Sequence, residues 1–126
     1  MRVLLDTVTF LWAVSSPERI SRQAMFILVK ADTVREISVI SLSEIAIKQS
    51  HGKLAFGKDD LARGIEALRL RILPYGREHA LCLFDLPLHH ADPFDRQIIA
   101  QGLVEQIPVV TSDRVFRQYK NLDVIW

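Results

Sequence analysis

The sequence predicts a three-layer α/β domain in which a small, mostly parallel sheet is flanked by helices. Three observations predict it. Residues 3–5, 37–40 and 108–110 form short runs that are continuously apolar or β-branched rather than alternating, as a parallel sheet covered on both faces requires. Longer segments with helical spacing separate them, and strands that alternate with helices pack as layers joined by right-handed crossovers. With 126 residues, 49% of them hydrophobic, the chain is the size of one domain and can bury a core without disulfides or a structural metal.

The strands are expected at residues 3–5, 37–40, 72–73 and 108–110, with 124–125 as a fifth. Phe10, Leu11 and Trp12 read as the core side of a first helix, or, where exposed, as the lining of a partner groove. Residues 18–30 carry Ile20, Ala24, Ile27 and Leu28 at helix spacing, and 42–50 carry Leu42, Ile45, Ala46 and Gln49 on one side. Residues 58–70, 77–84 and 93–105 are the remaining helical segments. No repeat, low-complexity tract or linker divides the chain, so residues 1–126 are expected to form a single domain.

Charge excludes some function classes. Sixteen Lys and Arg against fifteen Asp and Glu give a net charge of +1, too little for bulk attraction to nucleic acid or an anionic membrane. Any such binding must be local. The one cysteine, Cys82, lies in the apolar run Ala80-Leu81-Cys82-Leu83-Phe84, which reads as core rather than nucleophile and fits a reducing, cytoplasmic setting. Asp6 interrupts the apolar start before a signal-peptide core can form. The longest apolar stretches fall well short of the roughly 20 residues that cross a bilayer, so a soluble protein is expected.

The acidic residues carry the chemistry. Asp6 directly follows the first strand and Asp113 follows the fourth after Thr111-Ser112, which places both at the carboxyl edge of a parallel sheet, where crevices form. Glu44 stands three residues after Ser41, and Asp95 three after Asp92 with Pro93 between, so each reads as the third residue of a helix capped by Ser41 or Asp92. Either acid alone has an ordinary explanation. Ser41-Leu42-Ser43-Glu44 matches a capping box, Lys48 can pair with Glu44 one turn on, and an Asp in a first turn suits the helix dipole. Helices that follow parallel strands start at the edge where those strands end, however, so all four acids are expected to converge. Clustered carboxylates raise one another's pKa unless a cation offsets them, and with only oxygen ligands that cation is Mg²⁺ or Mn²⁺ rather than Zn²⁺. Such a site activates water and neutralises charge on a phosphodiester.

Four stretches, taken in order and spacing, resemble the PIN-domain ribonucleases, and specifically the VapC-like toxins of toxin–antitoxin pairs. They are Leu4-Leu5-Asp6-Thr7 followed by Phe10-Leu11-Trp12; Ser41 to Lys48 followed by Gly52-Lys53-Leu54; Leu86-Pro87 with His90-Ala91-Asp92-Pro93-Phe94-Asp95-Arg96 and Ile99-Ala100-Gln101; and Val110-Thr111-Ser112-Asp113. The resemblance implies a PIN-like fold, metal-binding acids at Asp6, Glu44, Asp95 and Asp113, and a hydroxyl at Thr111 that orients water or carboxylate. It also implies Mg²⁺- or Mn²⁺-dependent cleavage of RNA, an antitoxin that blocks the site, and a homodimer. The acids alone do not separate RNA from DNA; that part comes from the resemblance.

The chain departs from the pattern at Val8, where relatives often carry His or Ser, at Ser43, where an aromatic residue is common, and at Gly102, where alanine is expected. Arg96, Lys48 and Arg114 neighbour the acids and are candidates for holding a phosphate, with surface ion pairing as the plain alternative. Asp92 reads as a cap in preference to a ligand. His89 and His90 lack the spaced partners of a zinc site. Val8 stands where a dehalogenase-type phosphotransferase needs a second Asp, and no Gly-rich phosphate loop occurs. The remaining alternatives are a non-catalytic PIN-like module that binds RNA or a partner, and a free-standing PIN nuclease without antitoxin.

Overall fold

The computed structural model describes residues 1–126. Its strands β1 (Arg2–Leu5), β2 (Val34–Ser38), β3 (Arg71–Leu73), β4 (Val109–Val110) and β5 (Val124–Ile125) form one sheet in the order β3-β2-β1-β4-β5. Every pairing is parallel. Six helices surround it: α1 (Thr7–Ser15), α2 (Arg22–Leu28), α3 (Val39–Ser50), α4 (Lys58–Ala67), α5 (Arg77–Cys82) and α6 (Pro93–Glu105).

The strands are short because each is two-sided core. Val3, Leu5, Ile37 and Val110 face a cluster with Phe10, Ala24, Leu28 and Ile45, whereas Leu4, Val109 and Leu73 face Ile98, Ile99, Phe116 and Tyr119. Two apolar clusters on opposite faces of one sheet make the expected three layers. In register, Ile37 and Val110 both stand beside Leu5, with Ile72 and Ile125 beyond them, so one level row crosses the sheet. The next residues along the chain are polar: Asp6, Ser38 and Thr111. Strand order reverses between β1 and β4, and the crevice at such a switch point opens at this carboxyl edge.

The second strand differs from expectation. It runs from Val34 to Ser38, and Val39 and Ile40 already belong to α3, whose cap is Ser38 accepting from the Ile40 amide. β-Branching made 37–40 look like strand, but tertiary position outweighs that weak preference. Upstream, Arg35 and Glu36 hid the real strand. Both charges are matched inside the fold: Arg35 donates to the carbonyls of Leu28 and Leu68, and buried Glu36 accepts from Arg2. The capping box at Ser41 is therefore corrected, and Glu44 lies in the second turn of α3, not the first.

The segment 18–30 is also divided, into a 3₁₀ turn at Pro17–Arg19 and then α2, because Ser21 caps the Ala24 amide and starts a new helix. α4 ends at Ala67 as Arg69 takes a left-handed conformation at φ 52°. α5 gives way to a 3₁₀ turn at Leu83–Asp85. α6 matches its expected bounds, with Pro93 at its first turn and Asp92 accepting from the Phe94 and Asp95 amides at 2.9 and 3.1 Å. Gly102 acquires a reason: a Cβ there would lie 2.9 Å from both Leu122 Cδ1 and Val109 Cγ2, so glycine lets α6 settle against β4.

Candidate active site

Asp6 leaves β1 and immediately caps α1. Its Oδ1 accepts from the Thr9 amide at 2.8 Å and its Oδ2 from Thr111 Oγ1 at 2.6 Å. Only 4% of Asp6 is exposed. Burial raises its pKa, opposed by the hydrogen bonds from Thr111 and Thr9 and reinforced by the charge of Asp113. Thr111 also accepts from the Asp113 amide at 3.0 Å, so one hydroxyl ties the end of β1 to the loop after β4. Asp113 is exposed and caps the 3₁₀ turn Arg114–Gln118 through the Val115 amide.

Glu44, equally buried at 4%, reaches the same edge from within α3. Thr7 Oγ1 donates to its Oε1 at 2.6 Å and lies 2.8 Å from Ser41 Oγ. Lys48 Nζ holds Oε2 at 2.6 Å. That ammonium is the only cation paired with these acids: Glu44 raises its pKa most, and Asp92 and Asp95 add to the effect.

Asp95 reports the convergence. Its pKa is pushed from an ordinary 3.8 to about 7, first by burial and then by the charges of Asp92, Asp6, Glu44 and Asp113. Three carboxylates from separate chain segments, with Asp92 from the cap of its own helix, thus act on Asp95. The structure brings together Asp6, Glu44, Asp92, Asp95, Asp113, Thr111 and Lys48. Arg96 points elsewhere, donating to the carbonyls of Pro87 and Leu86 and to Tyr119 Oη, which corrects its reading as a phosphate holder beside the acids. Arg114 is exposed and has no carboxylate partner. Ser43 is exposed, so it does not pack beneath Glu44, and Val8 is exposed on α1.

As placed, no three acidic or imidazole side chains stand close enough to chelate one ion. Both oxygens of Asp6 and of Glu44 are engaged, by Thr9, Thr111, Thr7 and Lys48. The donor chemistry nevertheless fits a hard divalent cation: the acids offer oxygen alone, and one ammonium faces an excess of carboxylates. Sequence reasoning missed Thr7, Ser38 and Ser41 as the polar lining. The signal was present in Thr7, a hydroxyl one residue past the strand-end acid.

Residues 3–122 match the family model described as PIN domain, a span that contains every acid just described. The chain belongs to the PIN-domain family. PIN domains are nucleases and generally use divalent metal ions. A comparison with curated protein sequences returns no match. Among solved structures, this PIN domain is similar to a chain of VapBC2 from Rickettsia felis bound to a promoter DNA fragment, with TM-score 0.75 and 19% identity over 98% of this chain and 97% of that one. It is similar also to a chain of DNA-bound VapBC from Salmonella typhimurium, with TM-score 0.69 and 20% identity over 98% and 96%. A chain of FitAcB from Neisseria gonorrhoeae matches with TM-score 0.62 and 20% identity over 97% and 95%. At these identities the likeness is one of fold. No helix is long and apolar enough to cross a membrane.

Proposed function

We propose that this PIN domain is a Mg²⁺- or Mn²⁺-dependent endoribonuclease and the toxin of a toxin–antitoxin pair. The observation that carries the nuclease reading is the placement of Asp95 at the switch-point edge, where burial first and then the charges of Asp92, Asp6, Glu44 and Asp113 push its carboxyl up to about 7. Asp6, Glu44, Asp95 and Asp113 would hold the ion, which when bound supplies activated water and neutralises phosphodiester charge. Thr111 orients Asp6 and Thr7 orients Glu44 by hydroxyl hydrogen bonds. Asp92 positions Asp95 as the cap of its helix, and Lys48 balances Glu44 while no divalent cation is bound.

Several observations support a partner. The VapBC-5 complex to which the chain is similar is described as a member of a family of toxin-antitoxin systems. A cleft of about 540 Å³ lined by Ile20, Met25, Leu28 and Leu68, with Lys30 and Arg69 among its lining residues, lies between α2 and α4 and suits an antitoxin segment carrying apolar and acidic side chains. Leu81, Phe84 and Leu88, 42, 87 and 78% exposed, give a second apolar surface that suits a homodimer contact. The site belongs to a cytoplasmic protein in this reading. The test uses purified protein freed of any partner: Mg²⁺ or Mn²⁺ supports RNA cleavage, and Asp6→Asn and Asp95→Asn abolish it. Equal cleavage by those variants refutes the assignment.

A further inference from the structure

His90 lies next to the acids in space and is bonded into a chain that starts at Arg96. Arg96 Nη1 donates to Tyr119 Oη at 3.1 Å, and Tyr119 Oη lies 2.8 Å from His90 Nδ1. The far ring nitrogen, His90 Nε2, is 3.4 Å from Asp95 Oδ2 and is a buried polar atom with no hydrogen-bond partner.

The direction of this chain follows from proton counting. A guanidinium can only donate, so Tyr119 Oη accepts from Arg96. Tyr119 is 1% exposed, and the only other group at its oxygen is His90 Nδ1. A buried phenol proton left unpaired costs about 1–3 kcal/mol, so it is donated to Nδ1. A neutral imidazole accepting at Nδ1 carries its proton on Nε2. That N–H lies on the nitrogen 3.4 Å from Asp95 Oδ2, close to it but not hydrogen-bonded. The ring cannot turn freely, because it packs against Phe116 and Tyr119, while Arg96 also holds the carbonyls of Leu86 and Pro87 in the loop that delivers His90.

We propose that His90 is a positioning residue for Asp95: Arg96 and Tyr119 fix the imidazole as the Nε2–H tautomer, and this unpartnered N–H, 3.4 Å from Asp95 Oδ2, is poised to steady that oxygen so that the carboxylate presents its other oxygen to a divalent cation. The inference rests on the metal-site reading above. It assigns Arg96 a role that its neighbour's position in the sequence conceals, since Arg96 acts on Asp95 through Tyr119 and His90 rather than by direct pairing. Partners that orient a ligating group in this way typically change metal affinity 10- to 100-fold when removed.

The test has two readouts on the full chain. A long-range ¹H–¹⁵N spectrum of metal-free protein at pH 8 shows His90 with a pyridine-like Nδ1 and a protonated Nε2; the opposite tautomer overturns the proposal. Mn²⁺ affinity by calorimetry falls about 10- to 100-fold in His90→Asn, whose amide reaches only the Nδ1 position, and recovers most of that loss in His90→Gln, whose amide reaches the Nε2 position. Tyr119→Phe keeps the ring and its packing, admits both tautomers, and weakens Mn²⁺ binding in a folded protein. Mn²⁺ binding that is lost in Asp95→Asn but unchanged in His90→Asn and Tyr119→Phe overturns the role of His90 and leaves the metal site standing. Absence of Mn²⁺ binding by the unaltered protein refutes the metal site, and this proposal with it.

Discussion

Replacing Asp95 by Asn should make the metal-free protein more stable at alkaline pH, a counter-intuitive result for a proposed active-site residue. In the fold its carboxyl titrates at about 7 against an ordinary 3.8. Below 3.8 both native and unfolded chains carry the proton, and between 3.8 and about 7 only the native chain does, so stability falls as pH rises through that window and is flat above it. Each tenfold change in proton affinity is worth about 1.4 kcal/mol, so the ionised native state carries a penalty of about 4 kcal/mol. Asparagine removes the charge at nearly constant shape but forfeits the favourable dipole interaction of a first-turn carboxylate, worth about 0.3–1 kcal/mol. The net gain at pH 8 is then about 2–4 kcal/mol, roughly 10 °C in Tm for a chain of this size. Urea unfolding in EDTA at pH 5 and pH 8 measures it. The variant's advantage should grow with pH, and added Mn²⁺ should stabilise the unaltered protein and not the variant. An advantage that is absent, or the same at both pH values, refutes the electrostatic convergence on Asp95.

The same repulsion gives the pH dependence of metal binding: since a cation competes with the proton on Asp95, Mn²⁺ affinity by calorimetry should rise with pH up to about 7 and level off above it. Thr111→Val removes the donor to Asp6 and the acceptor for the Asp113 amide, and is expected to weaken Mn²⁺ binding about 10- to 100-fold with the fold intact by circular dichroism. Lys48→Met leaves Glu44 buried without its cation and should destabilise the metal-free protein by about 1–3 kcal/mol, a difference that narrows when saturating Mn²⁺ replaces the lost charge. Gly102→Ala gains about 1 kcal/mol of helix propensity but sets a methyl 2.9 Å from Val109 and Leu122, so a net loss of about 1–2 kcal/mol is expected in thermal unfolding.

The layers were legible because β1 and β4 are buried on both faces and contain little besides Val and Leu. β2 was less so. Arg35 and Glu36 look incompatible with a buried strand until Arg2 and the helix-end carbonyls of Leu28 and Leu68 are brought to them by contacts distant in sequence. That displacement misplaced the start of α3 and gave Glu44 a capping role it does not have. The expected contrast between acids set by strand ends and acids set by helix starts is partly inverted, since Asp6 and Asp113 are themselves caps while Glu44 sits in mid-helix. Order along the chain still pointed to acids that share one edge, because in a parallel sheet strand ends and helix starts meet there. Arg96 shows what sequence adjacency cannot reveal: one residue after Asp95 on α6, its side chain faces the other way, toward Tyr119.

The most direct measurement of the central claim is a crystal grown with Mn²⁺ and examined by anomalous scattering. An ion bound by Asp6 and Asp95 together with Glu44 or Asp113, with Lys48 displaced from Glu44, is the predicted result. An ion seated elsewhere, or none at a concentration that supports cleavage of RNA, would contradict the account.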